Sequence, residues 1–311
     1  CTILAVSRLG ANPGGEMVTR AFEDSVEAAL ERMEPVQEAG LKTARAVHDA
    51  VLSDERARGV ADALHGTWLG HPLHPVLTDV TIGAWILGGV FDAVGALTGS
   101  RFARRAGDTL IGIGAASAVP TAVAGIADYS TIPQQAATAG TLHGLLNTVG
   151  LSLYLLSLRD RRNGRRARGL LFSSLALGLT GISAWLGGHM VYRHGVGVDH
   201  SDTFSGPKDW TPVLDADELE DRTPRRIEVE GKPVLLFREG NDIYAIGATC
   251  AHAGGPLDQG KFYDTCVQCP WHDSVFDLAD GHIVHGPATQ PQPVFDTRIR
   301  NGQVELRLRE D

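Results

Sequence analysis

The sequence predicts a multidomain α + β protein, with an N-terminal four-helix transmembrane bundle followed by a small antiparallel β domain. Three observations carry this. Residues 76 to 190 are almost wholly Ala, Gly, Leu, Ile, Val and Thr, broken by short polar loops. Residues 209 to 311 instead show short alternating strands between Gly and Asn turns. The charge is divided unevenly: this last segment holds nineteen Asp and Glu against ten Lys and Arg, which accounts for the formal net charge of -9 of the whole chain. An acidic domain repels phosphate, so nucleic acid is excluded as a partner. A length of 311 residues accommodates two domains.

The apolar half divides into runs at about 76–98, 108–127, 138–158 and 169–190. Each supplies the ~20 residues a helix needs to cross a bilayer. A buried soluble bundle is the alternative, but four such runs in series disfavour it. Small residues in the last three favour close packing in lipid, and Pro120 should kink the second. The loops "TGSRFARRAG" and "RDRRNGRRARG" carry three and six Arg, whereas "DYSTIPQQA" carries none. The positive-inside rule places the Arg-rich loops in the cytoplasm and both chain ends on the outer face. Trp68, Tyr129 and Tyr192 fall where the outer aromatic belt would lie. The localisation expected is therefore the cell membrane, with the β domain outside.

Residues 1–66 read as an N-terminal extension followed by amphipathic helices. Residues 1 to 16 look like an extension ahead of Met17, and Phe22, Val26, Leu30 and Met33 recur at helical spacing. The transmembrane domain is expected at 67–190, a Gly-, Asp- and Ser-rich linker with solvated His194 and His200 at 191–208, and the β domain at 209–311.

Topology brings the membrane histidines to one depth. "HPLHP" (71–75) sits at the mouth of the first span, His143 early in the third and His189 late in the fourth. Ionisable groups in a membrane are costly and so usually functional. His74, His143 and His189 are thus candidates for a b-type haem, a metal or a quinone. The plainer reading is that they cap helices and bond backbone carbonyls. Asp79 would orient an imidazole or bond a quinone. This half resembles an uncharacterised bacterial four-helix membrane family with a similar His-Pro signature, which supports the helix count and says little about chemistry.

The β domain carries an insert, "CAHAGGPLDQGKFYDTCVQCPWHDSVFD", in which Cys250-x-His252 precedes Cys269-x-x-His272. Two Cys and two His on two short loops suit zinc or a 2Fe-2S cluster. A β-rich surround, one Cys and one His per loop, and the bends allowed by Gly254, Gly255, Pro256 and Pro270 favour the cluster. Together with "GHIVHGPA", the insert resembles the Rieske ferredoxin family over about 209–308. The resemblance implies that Cys250 and Cys269 bind one iron and His252 and His272 the other. It makes Gly286-Pro287-Ala288 a loop covering the cluster, and Ser274 a hydrogen-bond donor to it. The chain departs from cytochrome bc-type members in lacking the disulfide between the loops, which leaves Cys266 as a small core residue. Phe276 replaces their Tyr, which implies a potential at the lower end of the Rieske range of about -150 to +300 mV. Asp273 stands where Gly is usual, on a backbone that Asp tolerates.

The function expected is single-electron transfer between a membrane donor, quinone or haem, and a redox protein. The alternatives are a ferredoxin-like donor to a separate oxygenase or reductase, with the bundle as a plain anchor, and a non-enzymatic redox sensor.

Overall fold

The computed structural model describes residues 24–201 and 206–309. The readings on residues 1 to 16, Met17 and Phe22 lie outside these. Helix α1 occupies 24–31, followed by α2 (Glu34–Val51) and α3 (Glu55–His65). The Asp54 carboxylate caps α3 by accepting from the backbone N–H of Arg56 and Ala57. Four long helices follow: α4 (Leu73–Thr98), α5 (Arg101–Tyr129), α6 (Ala137–Arg162) and α7 (Arg166–His194). All four are long and apolar enough to cross a membrane. Pro120 lies inside α5, which continues through it as helix. Val80, Leu87, Val90, Val119, Leu145 and Leu175 remain exposed, as a lipid-facing surface requires.

Small polar residues stitch the helices. The hydroxyl of Thr81 on α4 meets Ser117 at 3.0 Å and Thr121 at 3.1 Å on α5, and Ser183 of α7 reaches His143 of α6 at 2.9 Å. At the Arg-rich end one side chain does more. Arg161 of α6 donates to both oxygens of Asp92 on α4 (2.7 and 2.5 Å), to Asp108 on α5 (2.7 Å) and to Ser173 on α7 (2.8 Å). Arg166 adds bonds of 3.1 and 3.0 Å to Asp108. Two Arg and two Asp leave the buried cluster neutral. Arg161 counts among the six arginines of the "RDRRNGRRARG" loop, yet its side chain is 2% exposed and neutralised inside the bundle.

The β domain contains two antiparallel sheets. The larger runs β1 (Thr211–Asp215), β10 (Gln303–Leu308), β9 (Val294–Arg300), β4 (Asp242–Gly247), β3 (Lys232–Glu239) and β2 (Arg225–Val229) in spatial order. The smaller runs β5 (Lys261–Tyr263), β6 (Cys266–Gln268), β7 (Val275–Asp277) and β8 (Ile283–His285). Strand β3 is buried on both faces. Val234 and Leu236 pack with Ala245, Phe295 and Val304, whereas Leu235 and Phe237 pack with Ile246, Val267 and Phe276 beneath the cysteine loops. This is why "VLLF" reads as an unbroken apolar run rather than an alternation. Cys266 is a half-exposed free thiol on β6, not the core residue expected.

Residues 195–201, directly after α7, are not a loose linker. His200 bonds back to the Gly195 carbonyl (3.0 Å), and its backbone N–H donates to Ala251 O (2.9 Å) in the first cysteine loop. The His194 side chain is 10% exposed rather than solvated. Of the expected aromatic belt, Trp68 and Tyr192 are exposed, but the Tyr129 hydroxyl turns inward to Thr141 at 2.6 Å.

Candidate metal centre

Each cysteine loop folds as a tight turn on its own backbone. In the first, Cys250 N donates to Gly255 O (2.8 Å) and Gly254 N to Cys250 O (2.9 Å); in the second, Cys269 N donates to Ser274 O (2.8 Å) and Asp273 N to Cys269 O (3.2 Å). Each turn passes through a left-handed residue, Gly254 at φ 78° and Asp273 at φ 64°. Asp273 holds this backbone because its carboxylate is tied down on two sides, by Gln268 Nε2 at 2.5 Å and His48 Nε2 at 3.2 Å. The hydrogen bond from His48 also holds the Asp273 carboxyl below the usual carboxylate range.

The turns bring the four expected side chains together. Cys250 and Cys269 are buried, and the rings of His252 and His272 lie 4.9 Å apart at 87°. The two thiols share a hydrogen bond that holds Cys269 down to about 7 and pushes Cys250 up. One proton shared between two sulfurs is the state that a thiolate-binding metal displaces. Burial holds both imidazoles below their ordinary range, so they are neutral, as ligands must be. His252 Nε2 meets Thr131 Oγ1 at 3.3 Å, which leaves Nδ1 for a metal. Ser274 is fully buried and its oxygen accepts from Ala288 N at 3.1 Å, so its own proton is free for another acceptor. Pro287 stands in the covering loop between Gly286 and Ala288. These donors fit a cluster with mixed Cys and His ligands.

Gly255 shows how closely the loops approach. A Cβ there would lie 2.7 Å from Cys269 Sγ and 3.2 Å from the Trp271 ring. Gly255→Ala is therefore expected to lower iron and acid-labile sulfide per chain while leaving the strand signal intact; full iron content would show that the loops have slack.

Trp271 stays exposed, but the histidine side of the loops is covered. They rest on the bundle and its N-terminal arm. His48 of α2 holds Asp273, and Asp62 of α3 accepts from His285 Nδ1 and from Gly286 N, both at 2.8 Å. Gln290 Nε2 donates to Gly70 O at 2.6 Å, and Thr131, in the α5–α6 connection, meets His252. His252 and His272 consequently line one large cavity, about 1830 Å³, together with His71, His74 and His143 of the bundle.

The membrane histidines are only partly as expected. His74 and His143 are neighbours, their rings 6.2 Å apart, but His189 does not join them and instead pairs with Glu27 at 2.9 Å. The His143 ring has both nitrogens engaged, Nδ1 with the Ser183 carbonyl at 2.8 Å and Nε2 with the Asn147 amide at 3.0 Å. It has no lone pair left for a haem iron, so a haem bridging these residues is not supported. His74 Nδ1 donates to Thr121 O at 2.8 Å, leaving Nε2 as an acceptor on a cavity-lining residue. Asp79 is exposed and does not orient His74, a role taken by the Thr121 carbonyl. Trp85 also lines the cavity, and its indole N–H is buried without a hydrogen-bond partner.

Paired Cys-His loops on a double β sheet, docked on four membrane-spanning helices, define a membrane-attached iron-sulfur electron carrier. Residues 70–200 match the family described as "Predicted membrane protein (DUF2231)" and residues 209–296 match the Rieske 2Fe-2S domain. The chain belongs to the Rieske 2Fe-2S family through that second segment. Among its relatives, the anthranilate 1,2-dioxygenase ferredoxin subunit of Burkholderia cepacia is 33% identical over 100 residues, which is 93% of that protein and 32% of this chain. The 3-phenylpropionate/cinnamic acid dioxygenase ferredoxin subunit of Escherichia coli K12 is 31% identical over 101 residues, 91% of its length and 32% of this chain. A solved structure, the ferredoxin of carbazole 1,9a-dioxygenase from Nocardioides aromaticivorans IC177, is 27% identical, covering 98% of its own chain and 32% of this one, with a TM-score of 0.31.

Proposed function

We propose that Cys250 and Cys269 hold one iron and His252 and His272 the other of a 2Fe-2S cluster, and that this centre exchanges electrons with a quinol-type carrier in the cavity below. One observation carries the reading: the cluster histidines and His74 of the bundle line the same cavity. The bound cluster would supply a one-electron acceptor. The protein supplies the rest. An apolar chamber open to the membrane half admits a lipid-soluble ring. His74 Nε2 is placed to accept a hydroxyl proton.

In proteoliposomes, a short-chain quinol is expected to reduce the cluster, and His74→Ala to slow that step by roughly tenfold or more with the reduced-state paramagnetic signal unchanged. Equal rates in both proteins would reduce the bundle to an anchor. The similarity to dioxygenase ferredoxin subunits supports that second reading, in which the electron passes to a separate oxygenase.

The outward orientation rests on the Arg-rich loops. An impermeant thiol reagent added to intact cells is expected to label the free, half-exposed Cys266; labelling only in inside-out vesicles would place the cluster in the cytoplasm.

A further inference from the structure

The helix α1 has no part in the centre just described, yet it builds a second group of metal-ligating atoms. Val26 and Leu30 pack with Leu142, Leu146, Leu186 and Met190 of α6 and α7. That packing sets Glu27 beside the last turns of α7. The Glu27 carboxylate lies 2.9 Å from His189 Nε2 and 3.5 Å from His194 Nε2, and one ligand atom from each residue falls within 4.8 Å of the others. The two imidazoles stand at 84° with centroids 5.2 Å apart, and Trp185 stacks on His189 at 5.2 Å, fixing its ring.

A plain Glu–His pair accounts for Glu27 and His189. It does not account for His194, whose Nε2 is buried without a hydrogen-bond partner while aimed at the same carboxylate. Buried polar atoms are seldom left so, and an ion is one of the few things that satisfies such an atom. The spacing agrees. Bonds of about 2.0–2.1 Å in tetrahedral geometry set ligand atoms about 3.3 Å apart, between the shortest and longest separations here.

We propose that Glu27, His189 and His194 bind a divalent transition-metal ion of the Zn2+ or Fe2+ class. Two imidazoles and a carboxylate select borderline ions over Mg2+ or Ca2+. Three protein ligands leave one position of a four-coordinate ion for water, and His194 borders the cavity, which gives a route in. The ion would clasp α1 to α7 at the edge of the membrane. The inference is independent of the cluster and of any quinol.

The probe is Co2+, added to chelator-washed full-length protein that retains its 2Fe-2S centre. One Co2+ per chain is expected, with intense ligand-field bands displaced by Zn2+. Glu27→Gln and His194→Gln should each weaken binding by roughly tenfold or more, since loss of even an outer partner costs that much. His282→Ala, at an exposed surface histidine, should leave it unchanged. The cluster signal reports that each variant is folded. Zn2+ should also raise the thermal midpoint of wild-type helical unfolding and not that of His194→Gln. Absence of Co2+ bands in the wild type, or bands that both Gln variants retain, overturns the site, and the wild-type result decides alone if a variant fails to fold.

Discussion

His272→Ala is expected to abolish the reduced-state paramagnetic signal while the helical signal of the bundle survives. One iron needs both imidazoles, and Ala offers neither a donor nor the ring that closes the site against His252. The bundle should survive because its packing, centred on Trp85, Ile111, Tyr154 and Ala176, shares no residue with the cores of the β domain. The measurements are the spectrum of the dithionite-reduced protein and its circular dichroism. A full-strength signal would sink the ligand assignment. Collapse of the helices with the signal would show that the two halves fold as one.

The second large effect lies at the opposite end of the bundle. Arg161→Ala is expected to destabilise the bundle by about 3–5 kcal/mol, the typical result of removing one partner from a buried ion pair. The loss is large because Asp92, 8% exposed at its side chain, is left with only the 3.4 Å contact to Arg166. Arg161→Lys should recover little, because a single ammonium cannot reproduce the bidentate fork to Asp92 together with the bond to Asp108. Thermal unfolding in detergent, followed by helical signal, measures both. A change below about 1 kcal/mol in the Ala variant would mean that the arginine is solvated in the membrane-embedded protein.

Much of this molecule can be read from local pattern. The four spans are continuous apolar stretches, and six of the β strands stand as short runs between turn residues, so neither needs tertiary information. The Cys-x-His and Cys-x-x-His motifs carry their own spacing, and their residues do converge. What escaped depends on distance along the chain. Arg161 reads as one more loop arginine until the hairpin brings it to Asp92, 69 residues away. Strands β5 to β7 are three residues each, too short for a period to show. Asp62, His48 and Thr131 have no motif at all; their meaning comes from the β domain that lands on them. His74, His143 and His189 share a depth in the sequence, but depth leaves the angle around each helix open. His189 faces Glu27 for that reason.

The contact between the two Cys-His loops and the helical arm has a kinetic meaning. The polar links through His48, Asp62, Gly70 and Thr131 hold the histidine edge shut against the bundle. At about 0.5–1.5 kcal/mol net for each bond, releasing them together leaves the freed domain at on the order of one per cent of molecules or fewer. A water-soluble partner that must touch the imidazoles then sees a rare species, and its turnover follows the opening rate rather than its own concentration. A partner that docks on the exposed face of Trp271, 55% open to solvent, avoids that wait. The seal thus acts as insulation: it lengthens the life of a stored electron against stray oxidants, and it ties delivery to whatever loosens the arm.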